Sequence, residues 1–292
     1  VNKWRTSDGC TALFVATKNG HTEIVGRLLA RPDIDVNKAR TSDGSTALTM
    51  ASLNGHTEIV DAIDQLGDGE SGVLQHYERT GSGVRICRSE HLLEFDPDMR
   101  EVIIGEVMLS IASRLLGEPA VLYKEKVNYK LAGGAGFAPH QDAPAYPFID
   151  THLTCMVAID DATEANGCLE MVRGMHGEIL PMDDDGCIRP DVVSSMEWVS
   201  VPVRAGDLLW FHSRAPHRSA ANRSDADRRA LFCTYNAAAE GDLRSRYYEE
   251  KFHRFSERHE GKRTRVSLIG DFQGVAPTAR EIAEYRGERQ QQ

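Results

Sequence analysis

Polarity alternates residue by residue from Val121 to Lys130, the period-two signature of a strand. A glycine-rich turn, Ala132-Gly133-Gly134-Ala135-Gly136, follows it and leads into Pro139-His140-Gln141-Asp142. A later strand is expected in Leu208-Leu209-Trp210-Phe211-His212, entered through the turn Ala205-Gly206-Asp207 and followed by Pro216-His217-Arg218-Ser219. The front of the chain has another rhythm. Ser7-Asp8-Gly9-Cys10-Thr11-Ala12-Leu13 returns as Ser42-Asp43-Gly44-Ser45-Thr46-Ala47-Leu48 at an offset of 35, and Asn19-Gly20-His21-Thr22-Glu23-Ile24-Val25 returns as Asn54-Gly55-His56-Thr57-Glu58-Ile59-Val60. Each unit opens on an Asp-Gly turn, runs into a short helix ending at Asn-Gly, and restarts as a second helix at Thr-Glu-Ile-Val. The stretch Leu66-Gly67-Asp68-Gly69-Glu70-Ser71-Gly72 breaks this period. It divides the chain into a repeat segment, 1–67, and a mainly β domain, 68–275, with a polar tail over 276–292.

The repeated unit resembles ankyrin repeats, whose usual period is about 33 residues. Ala12 and Ala47 stand where that family usually carries Pro, and Arg31-Pro32-Asp33 lengthens the connection between units. Helix-turn-helix units of this kind need roughly three or more copies to bury their apolar faces. About two copies therefore imply an array truncated at its N-terminus, or one that leans on the neighbouring domain, and Val1-Asn2-Lys3 recurring as Val36-Asn37-Lys38 fits the former. His21 and His56 fall at the unit's turn, where an imidazole ties neighbouring turns together rather than binding metal.

Bulk composition narrows the partners. A formal net charge of −10 argues against nucleic acid and anionic membrane surfaces as general partners, and no apolar run approaches the roughly 20 residues of a membrane span. The six cysteines contain no Cys-x-x-Cys pair and read as reduced thiols of a cytoplasmic protein.

The chemistry concentrates around two short motifs. In an extended segment residues i and i+2 project from one face, so His140 and Asp142 can offer an imidazole nitrogen and a carboxylate oxygen to one ion. The third ligand is expected from the later strand region. His217 is the choice there, with His212 and His152 lying inside strand patterns that suit lining or core roles. Two histidines and one carboxylate on one face of Fe(II) leave positions open for a chelating 2-oxo acid and dioxygen. Arg228, eleven residues after His217, places a guanidinium on the following strand, where its planar fork can grip the distal carboxylate of 2-oxoglutarate. Ser219 can add a hydroxyl donor. Alternation also puts Asn128 on the face of Lys130, making it a candidate for the substrate pocket.

The ordered set His140-Gln141-Asp142, Asn166-Gly167-Cys168-Leu169, Gly206-Asp207, His217-x-Ser219 and Arg228 resembles the phytanoyl-CoA dioxygenase family. The resemblance runs from about Val73 to Tyr248 and implies a mainly β fold with flanking helices, a double-stranded β-helix or cupin-like jelly roll. It implies His140, Asp142 and His217 as catalytic iron ligands, and Arg228, Ser219 and Lys130 on 2-oxoglutarate, with Gln141 steadying that site. The implied reaction consumes dioxygen, releases succinate and carbon dioxide, and hydroxylates a substrate. Because Asp142 retains the carboxylate that related halogenases lose, hydroxylation is favoured over halogenation. Met156 stands where several relatives carry a pocket tryptophan. Tyr146, Phe148 and Asp150 follow the metal motif and are expected in a loop over the barrel mouth, so Tyr146, Asp150 and Met156 join Asn128 as substrate-side candidates. Lys124 to Lys130 and Pro139 to Tyr146 look most like the branch that includes 2-aminoethylphosphonate hydroxylases.

The expectation is a hydroxylase of a small polar metabolite, with the repeats offering a docking surface to a protein partner. Two other readings compete: an ankyrin adaptor whose barrel is inactive, and a protein or peptide hydroxylase whose target is recruited through the repeats.

Overall fold

The structure, a computed structural model, describes residues 73–93, 97–256 and 266–289. The repeats expected over 1–67, with His21 and His56, and the linker at 66–72 lie outside the described residues.

The strand expected from Val121 is β3 (Ala120–Lys130), and it sits in the middle of a six-stranded antiparallel sheet. Before it come the hairpin strands β1 (Leu74–Thr80) and β2 (Gly83–Glu90), and helices α1 (Pro97–Ile104) and α2 (Glu106–Leu116). After it come β4 (Phe137–His140), β5 (Leu153–Ala158), β6 (Leu169–Met171), the short helix α3 (Pro190–Val193), β7 (Val199–Val201), β8 (Leu208–His212), β9 (His217–Ser219) and β10 (Arg228–Ala237). The chain then continues into α4 (Arg244–Ser256) and α5 (Ala279–Arg289). The larger sheet has the order β1-β2-β3-β10-β5-β8, and a smaller one runs β4-β9-β6-β7. Two antiparallel sheets folded face to face in this manner make the expected jelly roll.

Alternation along β3 has an unusual sense. Val127, Tyr129 and Leu131 face outward, joining Leu231, Cys233 and Tyr235 of β10 in one apolar cluster with Met99, Ile103, Met108 and Ala112 of α1 and α2. Burying such side chains stabilises by about 1.5–3 kcal/mol each for the large ones, so much of the fold's cohesion lies outside the barrel. Lys126, Asn128 and Lys130 point the other way, into the cleft between the sheets. Polar positions here mark the interior of the barrel, not its solvent face. Helix α2 ends where Gly117 adopts φ 81, its N–H returning to the Ser113 carbonyl at 2.9 Å.

The described C-terminal residues fold onto the barrel. Residues 266–275 recross the minor sheet: the Ala138 N–H donates to the Asp271 carbonyl at 2.8 Å, and Phe272 and Val275 bridge to Phe137 and Arg79. Helix α5 then docks on β1, with Tyr285 edge-on to Tyr77 at 5.9 Å and Glu281 paired to Arg79 at 2.6 Å. Its polarity reflects a helix with one side on the protein and one in water. Cys87, Cys155, Cys168, Cys187 and Cys233 are buried free thiols. Among the described residues no helix is long and apolar enough to cross a membrane.

Candidate active site

Strands β4 and β9 pair so that His140 lies directly across from His217. Asp142 follows immediately, but not in an extended segment as expected: it heads the 3-10 turn Ala143–Ala145 with φ −70 and ψ −31. The turn swings its carboxylate back toward both rings. Its oxygens lie 4.0 Å from His140 Nε2 and 3.8 Å from His217 Nε2, and the ring centroids are 4.1 Å apart. One ligand atom from each of the three falls within 4.8 Å of the others, and all three side chains are buried.

The rings are oriented by the backbone. His140 Nδ1 is 2.7 Å from the Ala138 carbonyl and His217 Nδ1 is 3.0 Å from the Ala215 carbonyl. A carbonyl can only accept, so each Nδ1 carries the hydrogen and each Nε2 presents a lone pair, the tautomer a metal-binding histidine needs. Burial, reinforced by His140, pushes His217 down to about 4, which keeps it neutral. Burial alone would raise Asp142, but Lys126, His217, His140 and Lys124 outweigh it and hold the carboxyl well below its usual range. An ionised carboxylate and two imidazoles converging on one point suit a divalent cation of the first transition row.

Beside this triad lies a second group. Lys130 and Arg228 are cross-strand partners on β3 and β10, both 5% exposed. Lys130 donates to Ser219 Oγ at 2.7 Å and to the Ala220 carbonyl, while Arg228 Nη2 donates to the Gly167 carbonyl at 3.0 Å. Arg228 Nε is buried without a partner. Burial and the nearby Arg228 drive Lys130 well below the ordinary lysine range, and burial pushes Arg228 down to about 10, still charged at neutral pH. A buried guanidinium with an unused donor, set beside an amine and a hydroxyl, calls for an anion. Gly167 makes the close packing possible: at φ +74, a methyl group there would collide with the Ala220 carbonyl and come within 2.8 Å of Lys130 Nζ.

Of the residues singled out from the sequence, His140, Asp142, His217, Lys130, Ser219, Arg228 and Asn128 line one cleft. Gln141 does not. Its Nε2 donates to the Glu178 and Arg214 carbonyls and its Oε1 accepts from Leu180 N–H, so its amide ties two loops together behind the triad. Tyr146 packs with Tyr123 and Tyr247 rather than over the mouth, because the turn after Asp142 carries the chain toward α4. Asp150 is exposed, its backbone held by Glu240. Met156 lies among Leu169, Phe211, Ala230 and Phe232, packed beneath the cleft rather than lining it. His152, His212 and His176 stack side by side at 5.7 to 5.9 Å between centroids, apart from the triad. Sequence reasoning missed Arg88, Lys126, Phe137, Asp271 and Phe272, which complete the wall. The period-two pattern of β3 could have found Lys126, since it shares a face with Asn128 and Lys130.

Comparison with known proteins agrees with this geometry. The family model for phytanoyl-CoA dioxygenase matches residues 32–230, and that for the ankyrin repeat matches 8–40. The chain is 45% identical over 204 residues to the methylphosphonate hydroxylase of Gimesia maris, covering 69% of this chain and 78% of that one. It is 42% identical over 200 residues to a 2-aminoethylphosphonate dioxygenase from an uncultured bacterium (HF130_AEPn_1), covering 65% and 76%. Among solved structures, the non-heme alpha ketoglutarate dependent epimerase SnoN from nogalamycin biosynthesis superposes with a TM-score of 0.51 at 29% identity, over 64% of this chain and 76% of that one. A jelly roll whose facing strands close a two-histidine, one-carboxylate triad, within a matched span that reaches from residue 32 to 230, makes this chain a member of the phytanoyl-CoA dioxygenase family, an iron- and 2-oxoglutarate-dependent dioxygenase.

Proposed function

We propose that Fe(II) is held by His140, His217 and Asp142, that Arg228 with Lys130 and Ser219 clamps 2-oxoglutarate, and that the substrate hydroxylated beside them is a small phosphonate. The observation that carries the reading is the juxtaposition of the converging triad with the buried Arg228 guanidinium and its neighbours Lys130 and Ser219. Both Nε2 lone pairs and an ionised carboxylate meet there, and Arg228 Nε has no other partner. The names of the two relatives at 45% and 42% identity support the phosphonate.

Bound at the triad, Fe(II) supplies the oxidative chemistry: 2-oxoglutarate is decarboxylated to succinate and carbon dioxide as dioxygen is consumed, and one oxygen atom enters a substrate C–H bond. The protein's own contributions are positional. The Ala138 and Ala215 carbonyls fix the two imidazoles, and Gln141 braces the loops behind them. Arg228 offers a planar fork to a carboxylate while Lys130 and the Ser219 hydroxyl lie within reach of the same group. Phe137, Phe272 and Phe232 give the cleft an apolar wall that excludes water from the reacting C–H bond.

The ankyrin match at 8–40 supports a protein partner for that segment, alongside chemistry on a small molecule. The test of the iron and co-substrate roles is anaerobic titration with Fe(II) and 2-oxoglutarate, following the visible charge-transfer band of the chelated metal. The band is expected to vanish in His140→Ala and to weaken in Arg228→Ala. A folded intact protein that shows no band would overturn these assignments and favour the adaptor reading.

A further inference from the structure

We propose that Arg88 and Lys126, with Asn128 between them, form a second oxyanion subsite in the cleft, one that holds the phosphonate group of the substrate apart from the 2-oxoglutarate clamp. The inference rests on the dioxygenase reading above and assigns residues that it leaves unused.

Arg88 lines the cleft at 1% exposure. Its Nε donates to Asn128 Oδ1 at 2.7 Å, and its Nη1 donates to the Val266 carbonyl at 2.7 Å and to Glu90 at 3.3 Å. Those bonds lock the guanidinium plane and leave Nη2 buried without a partner. Asn128 spends its carbonyl oxygen on Arg88, which leaves its Nδ2 hydrogens for a ligand. Lys126 also lines the cleft at 6% exposure, and the one contact described for its ammonium is the face of Phe232 at 5.3 Å. A buried donor without an acceptor is costly, and Arg88 Nη2 is one; the Asn128 amide and the Lys126 ammonium line the same cleft beside it.

The subsite is separate from the clamp by topology. Lys126, Asn128 and Lys130 alternate along β3, with Lys130 facing Arg228 of β10 on one side and Asn128 facing Arg88 of β2 on the other. At ~3.3 Å per residue, Lys126 and Lys130 are about 13 Å apart along the strand, too far for one small anion to satisfy both. Charge selects the ligand. Asp271 is the cleft's carboxylate besides Asp142, and it already accepts from the Ser267 hydroxyl. Arg88 Nη2, the Asn128 amide and the Lys126 ammonium offer donors to the three terminal oxygens of a phosphonate. Burial, then Arg88 and Lys124, pushes Lys126 down to about 7, a depression that a bound dianion would reverse.

The test starts from the full chain with Fe(II) and 2-oxoglutarate bound anaerobically. Methylphosphonate and 2-aminoethylphosphonate are titrated against the charge-transfer band, with acetate and β-alanine as carboxylate counterparts, and succinate release is then measured in air. Phosphonates are expected to perturb the band at lower concentration than the carboxylates. Lys126→Met is expected to raise the phosphonate KM tenfold or more while the 2-oxoglutarate Kd stays unchanged, and Lys126→Arg to recover most of the loss. An unchanged phosphonate KM in Lys126→Met, or an equal loss of 2-oxoglutarate affinity, overturns the subsite. So does a band that the phosphonates leave unperturbed. Absence of the band altogether overturns the dioxygenase reading and the subsite with it.

Discussion

At the scale of single residues, the site depends on close approaches that only particular side chains permit. Gly167 is one. Replacing it with alanine forces a Cβ into a left-handed backbone position and against the Ala220 carbonyl, with Lys130 Nζ the nearest movable atom. A non-glycine residue held in such a conformation costs about 1–3 kcal/mol, so Gly167→Ala is expected to lower the melting temperature and, by displacing Lys130, to weaken 2-oxoglutarate binding several-fold. Thermal melts and 2-oxoglutarate titrations on the same preparation read both effects; unchanged affinity would mean that Lys130 takes no part in the clamp. Arg228→Lys separates charge from shape at the neighbouring position. Lysine keeps the cation but loses the fork, and with it at least one charge-assisted hydrogen bond worth roughly 1.5–3 kcal/mol. The 2-oxoglutarate Kd is expected to rise by at least about tenfold, with metal binding unaffected. An unaltered Kd would show that a point charge suffices.

At the scale of elements, the strands carry their polar residues inward, and this decides what could be read in advance. His140 and Asp142 were legible because short spacing and a turn bring them together locally, His217 because its motif follows a later strand and β9 pairs it across from His140, and Arg228 because the next strand must lie beside the last ligand. Lys130 and Asn128 followed from alternation. Arg88 was not legible, since Arg85-Ile86-Cys87-Arg88-Ser89-Glu90 has the pattern of a strand with one wet face, and only the closure of the barrel turns that face inward. Asp271 and Phe272 were hidden for another reason: they reach the cleft from a C-terminal segment far along the chain. Asp150, eight residues after Asp142, is exposed, and Tyr146 and Met156 pack in apolar clusters behind and beneath the cleft. The inward polar face also builds a buried ion cluster, where Glu90 lies 2.6 Å from Lys251, 3.3 Å from Arg88 and 3.7 Å from His76. Burial would raise the Glu90 carboxyl, but Lys251, Lys124, Arg88 and His76 together hold it below its ordinary value of 4.5. A carboxyl lowered in the folded state contributes stability that is present above pH 4.5 and is lost as pH falls below it. Glu90→Gln is expected to cost about 3–5 kcal/mol near neutrality, because it leaves Lys251 and Arg88 uncompensated, and to flatten the acid limb of the stability curve. Urea denaturation across pH measures both. A variant with the wild-type acid slope would remove Glu90 from the account.

For the whole molecule, the consequence is a barrel that buries more basic than acidic side chains before its ligands arrive. Arg88, Lys124, Lys126, Lys130, Arg228 and Lys251 are buried with Glu78, Glu90, Asp142 and Asp271, beside the Arg244–Glu125 ion pair, and burial pushes the four lysines below their ordinary range. The cost of that excess is borne by the apolar packing of α1 and α2 on the outside, so the empty enzyme should be less stable than its outer core alone would make it. Anionic ligands relieve the excess, and stability and occupancy become linked. For a ligand at about 100 times its Kd, linkage adds roughly 2.7 kcal/mol, which for a domain of this size corresponds to a rise of roughly 5–10 °C in melting temperature. Mn(II), which binds the same donor set without supporting turnover, allows the measurement in air. The full chain with Mn(II) and 2-oxoglutarate is expected to melt in that higher range relative to the chelator-treated protein. Methylphosphonate should add a further increment that is reduced by about half or more in Lys126→Met, while Arg228→Lys should lose about half or more of the 2-oxoglutarate increment and keep the phosphonate one. If the two increments fall together in both variants, the cleft holds a single anion site and the separation argued along β3 is wrong. If each variant lowers its own increment and retains the other, one strand face presents two independent anion positions beside the metal, as the oxidation of a charged small molecule requires.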